Sequence, residues 1–397
     1  MSEWKKCPIG EVVTLRQGFA INAKSKHYMS KEETSLPLLR IADMKNGTKE
    51  VFVKEEIPQR FIAHPEDIIY TRTGNVGLVF RNNYGVMHNN CFSVTPNDAD
   101  ELSRDFLYYA LQNKTFFDTA NALARGAAQP DLPHTSFNSI EFAYPSLFVQ
   151  ERIAYILSRY DSLIENYQKQ IKLLEEAAQR LYKEWFIDLR FPGHENTNII
   201  DGVPEGWEKK KLCQFTGITD GTHDSPKQVE IGLPLVTGRC IVDGSIDFSQ
   251  AYNISEEDVI KINKRSAVED GDILLSNIGT IGKVCRISKS GNYAVKNMII
   301  FKPHDAIHSC FLHRFLTDNN TQMDFLQQAA GTSQKFVSLS FIRNTLILRP
   351  SDTILNLFYN HSEKYFKYVQ ILQSQLRLLT EARDRLLPKL MSGEIEI

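Results

Sequence analysis

No C-x-x-C pair occurs among the six cysteines, Cys7, Cys91, Cys213, Cys240, Cys285 and Cys310, which argues against a zinc knuckle or a disulfide framework. No run of about 18 apolar residues occurs either. The opening Met1-Ser2-Glu3-Trp4-Lys5-Lys6 leads into no apolar stretch of the kind that begins an export signal. The expectation is a protein that is neither exported nor membrane-spanning, with a reducing cytoplasm as its simplest location. An excess of one charge is also missing: 46 Lys+Arg stand against 48 Asp+Glu, a formal net charge of −2. Electrostatics alone would therefore not suggest nucleic acid, which is usually met by a basic surplus. One basic face opposite an acidic one, or a partner supplying the backbone contacts, would reconcile DNA binding with neutrality.

Signatures of chemistry are missing too. There is no Asn-Pro-Pro-Tyr-like methyltransferase motif, and Gly279-Thr-Ile-Gly282-Lys283 lacks the spacing of a phosphate-binding loop. Asp201, Glu208 and Lys210 could form a nuclease-like carboxylate-lysine set, but Glu208 and Lys210 flank Trp207, which has a structural copy at Trp4. His304, His308, Cys310 and His313 lie close enough in sequence for a metal site. The first half of the chain has no counterpart to them. No catalytic residue and no metal ligand is expected.

What is present is a chain written twice. With 397 residues, 42% of them hydrophobic, it can bury at least two cores. Asp67-Ile68-Ile69 recurs as Asp272-Ile273-Leu274, and Gly74-Asn75-Val76-Gly77 recurs as Gly279-Thr280-Ile281-Gly282, each 205 residues later. The same offset links Gly126 and Gln129 to Gly331 and Gln334, and Pro145 to Pro350. Trp4 and Trp207 match with a small slip, as loop-length changes would give. Each half opens with short β-like runs, in the first half Leu36–Ala42, Asp67–Arg72 and Leu78–Arg81. A helical stretch follows, around Phe106–Leu111 and Phe311–Leu316, and then a Gly-x-x-Gln loop and a last strand ending at the proline.

After each proline a long helix is expected. Ile153, Leu157, Tyr160, Ile164, Tyr167, Ile171, Leu174, Ala178, Leu181 and Trp185 alternate spacings of four and three, the a/d seam of a coiled coil. Adding 205 gives Phe358, Ser362, Tyr365, Val369, Leu372, Leu376, Leu379, Arg383, Leu386 and Leu390, apolar in all but two cases. Ser362 and Arg383 either fix register as polar core residues do, or sit at frayed, solvent-facing turns. The first seam covers roughly 48 Å at 1.5 Å per residue. Two such helices can bury their stripes on one another, antiparallel. The fold class expected is α+β: two β-rich domains, residues 1–147 and 199–350, with long helices over 148–191 and 351–391 and a pseudo-twofold internal repeat. That symmetry suits a ligand with two half-sites.

The order domain, helix, domain, helix, with the closing run Arg385-Leu-Leu-Pro-Lys-Leu-Met-Ser-Gly-Glu-Ile395, resembles the DNA specificity subunits of type I restriction-modification systems. Pro204-Glu-Gly-Trp207, the Gly-x-x-Gln loops and the helix ends Arg180–Trp185 and Arg385–Leu390 carry the likeness, whereas the first half lacks a Pro-x-Gly before Trp4. The resemblance implies target-recognition domains that each read half of a split duplex DNA sequence, with helices that set the unread spacer. It also implies two methyltransferase subunits and translocating endonuclease subunits as partners. S-adenosylmethionine, ATP and Mg would belong to those partners, and no cofactor to this chain.

Gln129 and Gln334 are the best-placed DNA candidates, since glycine lets backbone approach a phosphate and Gln can pair with adenine. Because they are equivalent in two domains that read different sequences, backbone contact is favoured over base contact. Base readout is assigned instead to residues that differ between the halves: Arg72, Arg81, His88 and Arg125, and Asn277, Lys283, Lys296 and Lys335. Two other readings remain at this point. One is a coiled-coil assembly scaffold whose globular ends bind proteins, and the other is a self-sufficient restriction-methylation enzyme, which the missing motifs disfavour.

Overall fold

The runs that alternate or concentrate apolar residues after Trp4 do become strands. A computed structural model describes residues 4–331, 335–395 and 397. The chain divides into two units, residues 1–166 with 376–397, and residues 167–375. Among the described residues no helix is long and apolar enough to cross a membrane.

In the first unit, Lys5–Pro8 pairs antiparallel with Glu141–Tyr144, so the opening and closing strands of the globular part are neighbours. A four-stranded antiparallel sheet follows in the order Val13–Gln17, Cys91–Pro96, Ile68–Thr71, Val79–Phe80. A second sheet contains the parallel pair Leu36–Leu39 and Gly85–Met87. The expected strand Leu36–Ala42 is cut short, because Ile41–Asn46 turns into a helix closed by Gly47 in the left-handed conformation. Arg104–Gln112 is a helix as expected, capped by the Ser103 side chain, which accepts from the Phe106 N–H.

The second unit repeats this plan. Glu208–Lys211 pairs with Leu346–Arg349, and the four-stranded sheet runs Gly217–Asp220, Met298–Lys302, Ile273–Ser276, Val284–Arg286. Leu233–Val236 lies parallel to Ala294–Val295. Where the first unit has only the short turn Gln59–Phe61, the second has the helix Glu256–Ser266, capped by Ser255 and charged acidic in its first turn and basic in its last, as the helix dipole favours. The fold is thus α+β with an internal topological repeat.

The long helices run Leu147–Tyr182 and Asp352–Met391. The first continues through a single π turn, Lys183–Ile187. It ends short of residue 191 because Leu189 takes a positive φ of 55° and Pro192 follows. Every seam position named above is buried or half-buried, from Ile153, Leu157, Ile164 and Ile171 to Val369 and Leu372, with Leu174, Leu181, Leu376, Leu379 and Leu386 half-buried. The pairing is antiparallel. In the first unit Arg383 donates to Asp161 of the other helix at 3.0 Å. In the second unit the Trp185 and Phe358 rings meet at 5.9 Å. Ser362 is only 1% exposed, so neither polar seam residue lies on a frayed, solvent-facing turn.

Candidate nucleic-acid interface

In both units one hairpin turn and one loop are laced together. The turn is Gly74–Gly77 in the first unit and Gly279–Gly282 in the second, and all four glycines have positive φ, between 77° and 94°. Thr71 and its repeat partner Ser276 staple these turns, each accepting from a backbone N–H seven residues on at 2.9 Å. The loop in the first unit is closed by two backbone hydrogen bonds of 2.8 Å between Arg125 and Asp131. In the second, Ala330 and Phe336 make the same pair at 3.0 and 2.8 Å. Gly74 N–H donates to the Pro130 carbonyl at 2.8 Å, and Gly279 N–H to the Lys335 carbonyl at 2.9 Å. The 205-residue offset therefore extends to individual hydrogen bonds.

Gly77 cannot accept a side chain. A Cβ there would lie 2.6 Å from the Phe117 ring, at a φ of +94°. Gly77→Ala is expected to destabilise the first unit by about 2–4 kcal/mol, combining backbone strain with a steric clash. Gly74→Ala meets nothing within 4 Å and bears only the strain. Thermal unfolding of both variants checks the difference; equal midpoints would contradict it.

The sequence candidates divide by what holds them. Arg72 is a clamp: its Nε and Nη2 donate to Asp131 at 3.1 and 2.7 Å, tying turn to loop. That guanidinium holds the Asp131 carboxyl below its usual range. Asn277 is its repeat partner, 9% exposed, and donates from Nδ2 to the Val337 carbonyl at 3.0 Å. Lys283 donates to the Ile241 carbonyl at 2.7 Å and Lys296 to Ser225 Oγ at 2.6 Å. Arg81 faces the long helix, with Nη2 at 3.5 Å from Asp161. Arg125, Gln129 and Lys335 are exposed, and Gln334 lies outside the described residues. Gln129 and the half-buried His88 come together at a cleft of about 530 Å³, also lined by Arg40, Lys45, Asn46, Thr73, Gly74, Asn75 and Asn90. Burial, then the nearby Arg40, pushes His88 below the ordinary imidazole value. The cleft is concave and of mixed character, with Ile41 and Ala42 beside amide and basic groups of the kind that meets phosphate and base edges. Asn75 lies inside the repeated Gly74–Gly77 turn, whereas Arg40 and Lys45 carry no sequence periodicity that would have singled them out.

Glu208 pairs with Lys210 at 2.6 Å, and the Asp201 backbone carbonyl accepts from Lys209 at the Ile199–Pro204 hairpin, so this set is engaged locally. Among the described residues no three His, Cys, Asp or Glu side chains stand together closely enough to hold a metal ion. Cys310 is buried in the second core, and His304 meets His308 edge to face at 5.9 Å.

Residues 1–176 match the family described as the type I restriction modification DNA specificity domain. The EcoBI specificity subunit of Escherichia coli is 22% identical across 99% of this chain and 86% of its own length. Along its length the chain is similar to type I restriction-modification specificity subunits, and residues 1–176 carry the family's domain. The MjaIX specificity subunit of Methanocaldococcus jannaschii is 28% identical over 321 residues, spanning 77% of this chain and 72% of its own. The S subunit of the type I system from M. genitalium shares the fold, with a TM-score of 0.63 at 17% identity over 98% of this chain and 96% of that one.

Proposed function

We propose that this specificity subunit reads a bipartite duplex DNA target, one half-site per globular domain. It directs two adenine-methylating methyltransferase subunits and the endonuclease/translocase subunits to that target. The domains are residues 1–147 and 199–350, and the helices between and after them set the unread spacer. The observation that carries this reading is the pair of matching turn-and-loop scaffolds bearing different residues: exposed Arg125 in one unit stands where exposed Ala330 stands in the other, and the clamp Arg72 where the buried Asn277 stands. Two copies of one scaffold with different faces suit two different half-sites. The chain itself is non-catalytic and holds no cofactor. S-adenosylmethionine, ATP and Mg belong to the partners, and the complex works in the cytoplasm.

Replacing residues 1–147 by the corresponding part of another specificity subunit is expected to change one half-site and leave the other and the spacer intact. Mapping methylated adenines in cells that carry the chimaera checks it. Both half-sites changing together would end the modular reading. An assembly scaffold would instead co-purify with its partners and confer no sequence selectivity on them.

A further inference from the structure

Arg81 and Arg286 are exactly one repeat apart, 205 residues, and both leave the globular domain to meet a carboxylate on the long helix that follows it. In the second unit Arg286, 5% exposed, sets Nη1 and Nη2 at 2.6 and 3.4 Å from the two oxygens of Glu363. Its Nε donates to Ser309 at 2.9 Å, and its guanidinium lies over the Phe366 ring at 4.4 Å. In the first unit Arg81 stacks over Tyr108 at 4.1 Å and donates to Tyr109 OH at 3.2 Å. Tyr109 in turn donates to Asp161 at 2.7 Å, and Asp161 lies 3.5 Å from Arg81. Stacking plus carboxylate pairing recurs although the acid has moved: one repeat on from Asp161 is Phe366, and Glu363 lies one helical turn before it.

Each arginine stands four residues after the second glycine of its turn, Gly77 or Gly282. The intervening residues are an edge strand, Val79–Phe80 or Val284–Arg286, roughly 13 Å of extended chain at about 3.3 Å per residue. One end of this short rigid bar is the turn at the candidate DNA surface. The other end is pinned to the helix. We propose that Arg81 and Arg286 are positioning residues for target recognition: they fix the tilt of each reading surface on its helix, and so set how strictly the complex distinguishes spacer lengths. This rests on the bipartite reading. DNA turns by about 34° and rises about 3.4 Å per base pair, so a reader free to rock by half that angle accepts a neighbouring spacer. In the second unit the planar Arg286 guanidinium faces both Glu363 oxygens, and in the first the stack on Tyr108 and the Tyr109 relay to Asp161 hold Arg81; each resists rocking in a way that a single ammonium contact does not.

The test uses the complex with the methyltransferase subunits and duplexes carrying both half-sites at the native spacer and at one base pair more or fewer. Wild type is expected to prefer the native spacer by about 100-fold, the scale of a serious mismatch. Arg286→Met and Arg81→Met are expected to narrow that preference about tenfold, to weaken native-site binding less than about fivefold, and to leave both half-site sequences unchanged. Arg286→Lys, which keeps the charge and loses the fork, falls between, and with Arg81→Met carries the test should Arg286→Met not fold. Full spacer discrimination in Arg81→Met and Arg286→Lys overturns the lock alone. So does a loss of half-site specificity in parallel with spacer discrimination, which would mark a merely structural role. A wild-type complex indifferent to spacer length removes the bipartite reading, and the lock with it.

Discussion

Seven residues inserted near Tyr167, with a matching seven near Leu376, are expected to lengthen the unread spacer by about three base pairs while both half-site sequences stay the same. Seven is one full heptad, so an insertion that continues the apolar spacing keeps every seam residue on its own stripe. It adds about 10 Å of helix at 1.5 Å per residue, and duplex DNA rises about 3.4 Å per base pair. Both helices must grow because their seams pack antiparallel, as Arg383 on Asp161 and Trp185 on Phe358 record. An insertion in one helix alone would slide one set of seam residues past the other. DNA bending can absorb part of the change, so spacers two to four base pairs longer fit the expectation. Partner methyltransferases built for the native span will resist, and modification will fall in rate. Genome-wide mapping of methylated adenines reads the outcome directly: an active variant whose spacer is unchanged would show that these helices do not set the half-site distance.

The elements that repetition or long periodicity announces were legible in the sequence. The strands ending before Pro145 and Pro350, the turn glycines and the two helices stand where the 205-residue offset and the heptads put them. The helix Glu256–Ser266 was not legible. It is only three turns long, mostly charged, and buries just Val259 and Ser266, so it lacks the wide apolar stripe that marks a helix. The roles of single cations were hidden for a different reason. Arg72 and Arg81 read as base-contact candidates, but a sequence does not show Asp131 and Asp161 folding back against them from about 60 and 80 residues further on. The offset did hold one unused signal, since Arg286 is the repeat partner of Arg81 and shared positions point to scaffold roles before base readout.

The π turn Lys183–Ile187 explains where the first helix stores its strongest packing. A heptad seam presents one residue per turn, and it selects Trp185. Widening one turn to five residues lets the next residue face inward too, so that Trp185 and Phe186 are both buried, at 7% and 5% exposure. Phe186 then meets Tyr182, Trp207, Phe311 and Phe358 at ring distances of 5.2, 5.8, 4.8 and 4.8 Å. These rings come from the first helix, the start of the second domain, its internal helix and the second long helix. Phe186→Ala is therefore expected to cost about 3–5 kcal/mol, the transfer free energy of the ring plus the cavity it leaves. That is a large part of the 5–15 kcal/mol typical of a domain. Hydrogen exchange should report the loss locally, with protection falling in Leu212–Phe215 and Ala306–Thr317 of the second unit and holding in Ile68–Thr71 and Cys91–Pro96 of the first. Phe186→Leu, which refills most of the volume, should recover more than half of the lost stability. A Phe186→Ala variant less than about 1 kcal/mol weaker in chemical denaturation would mean that the surrounding rings collapse into the space, and that the π turn is not what secures this end of the helix.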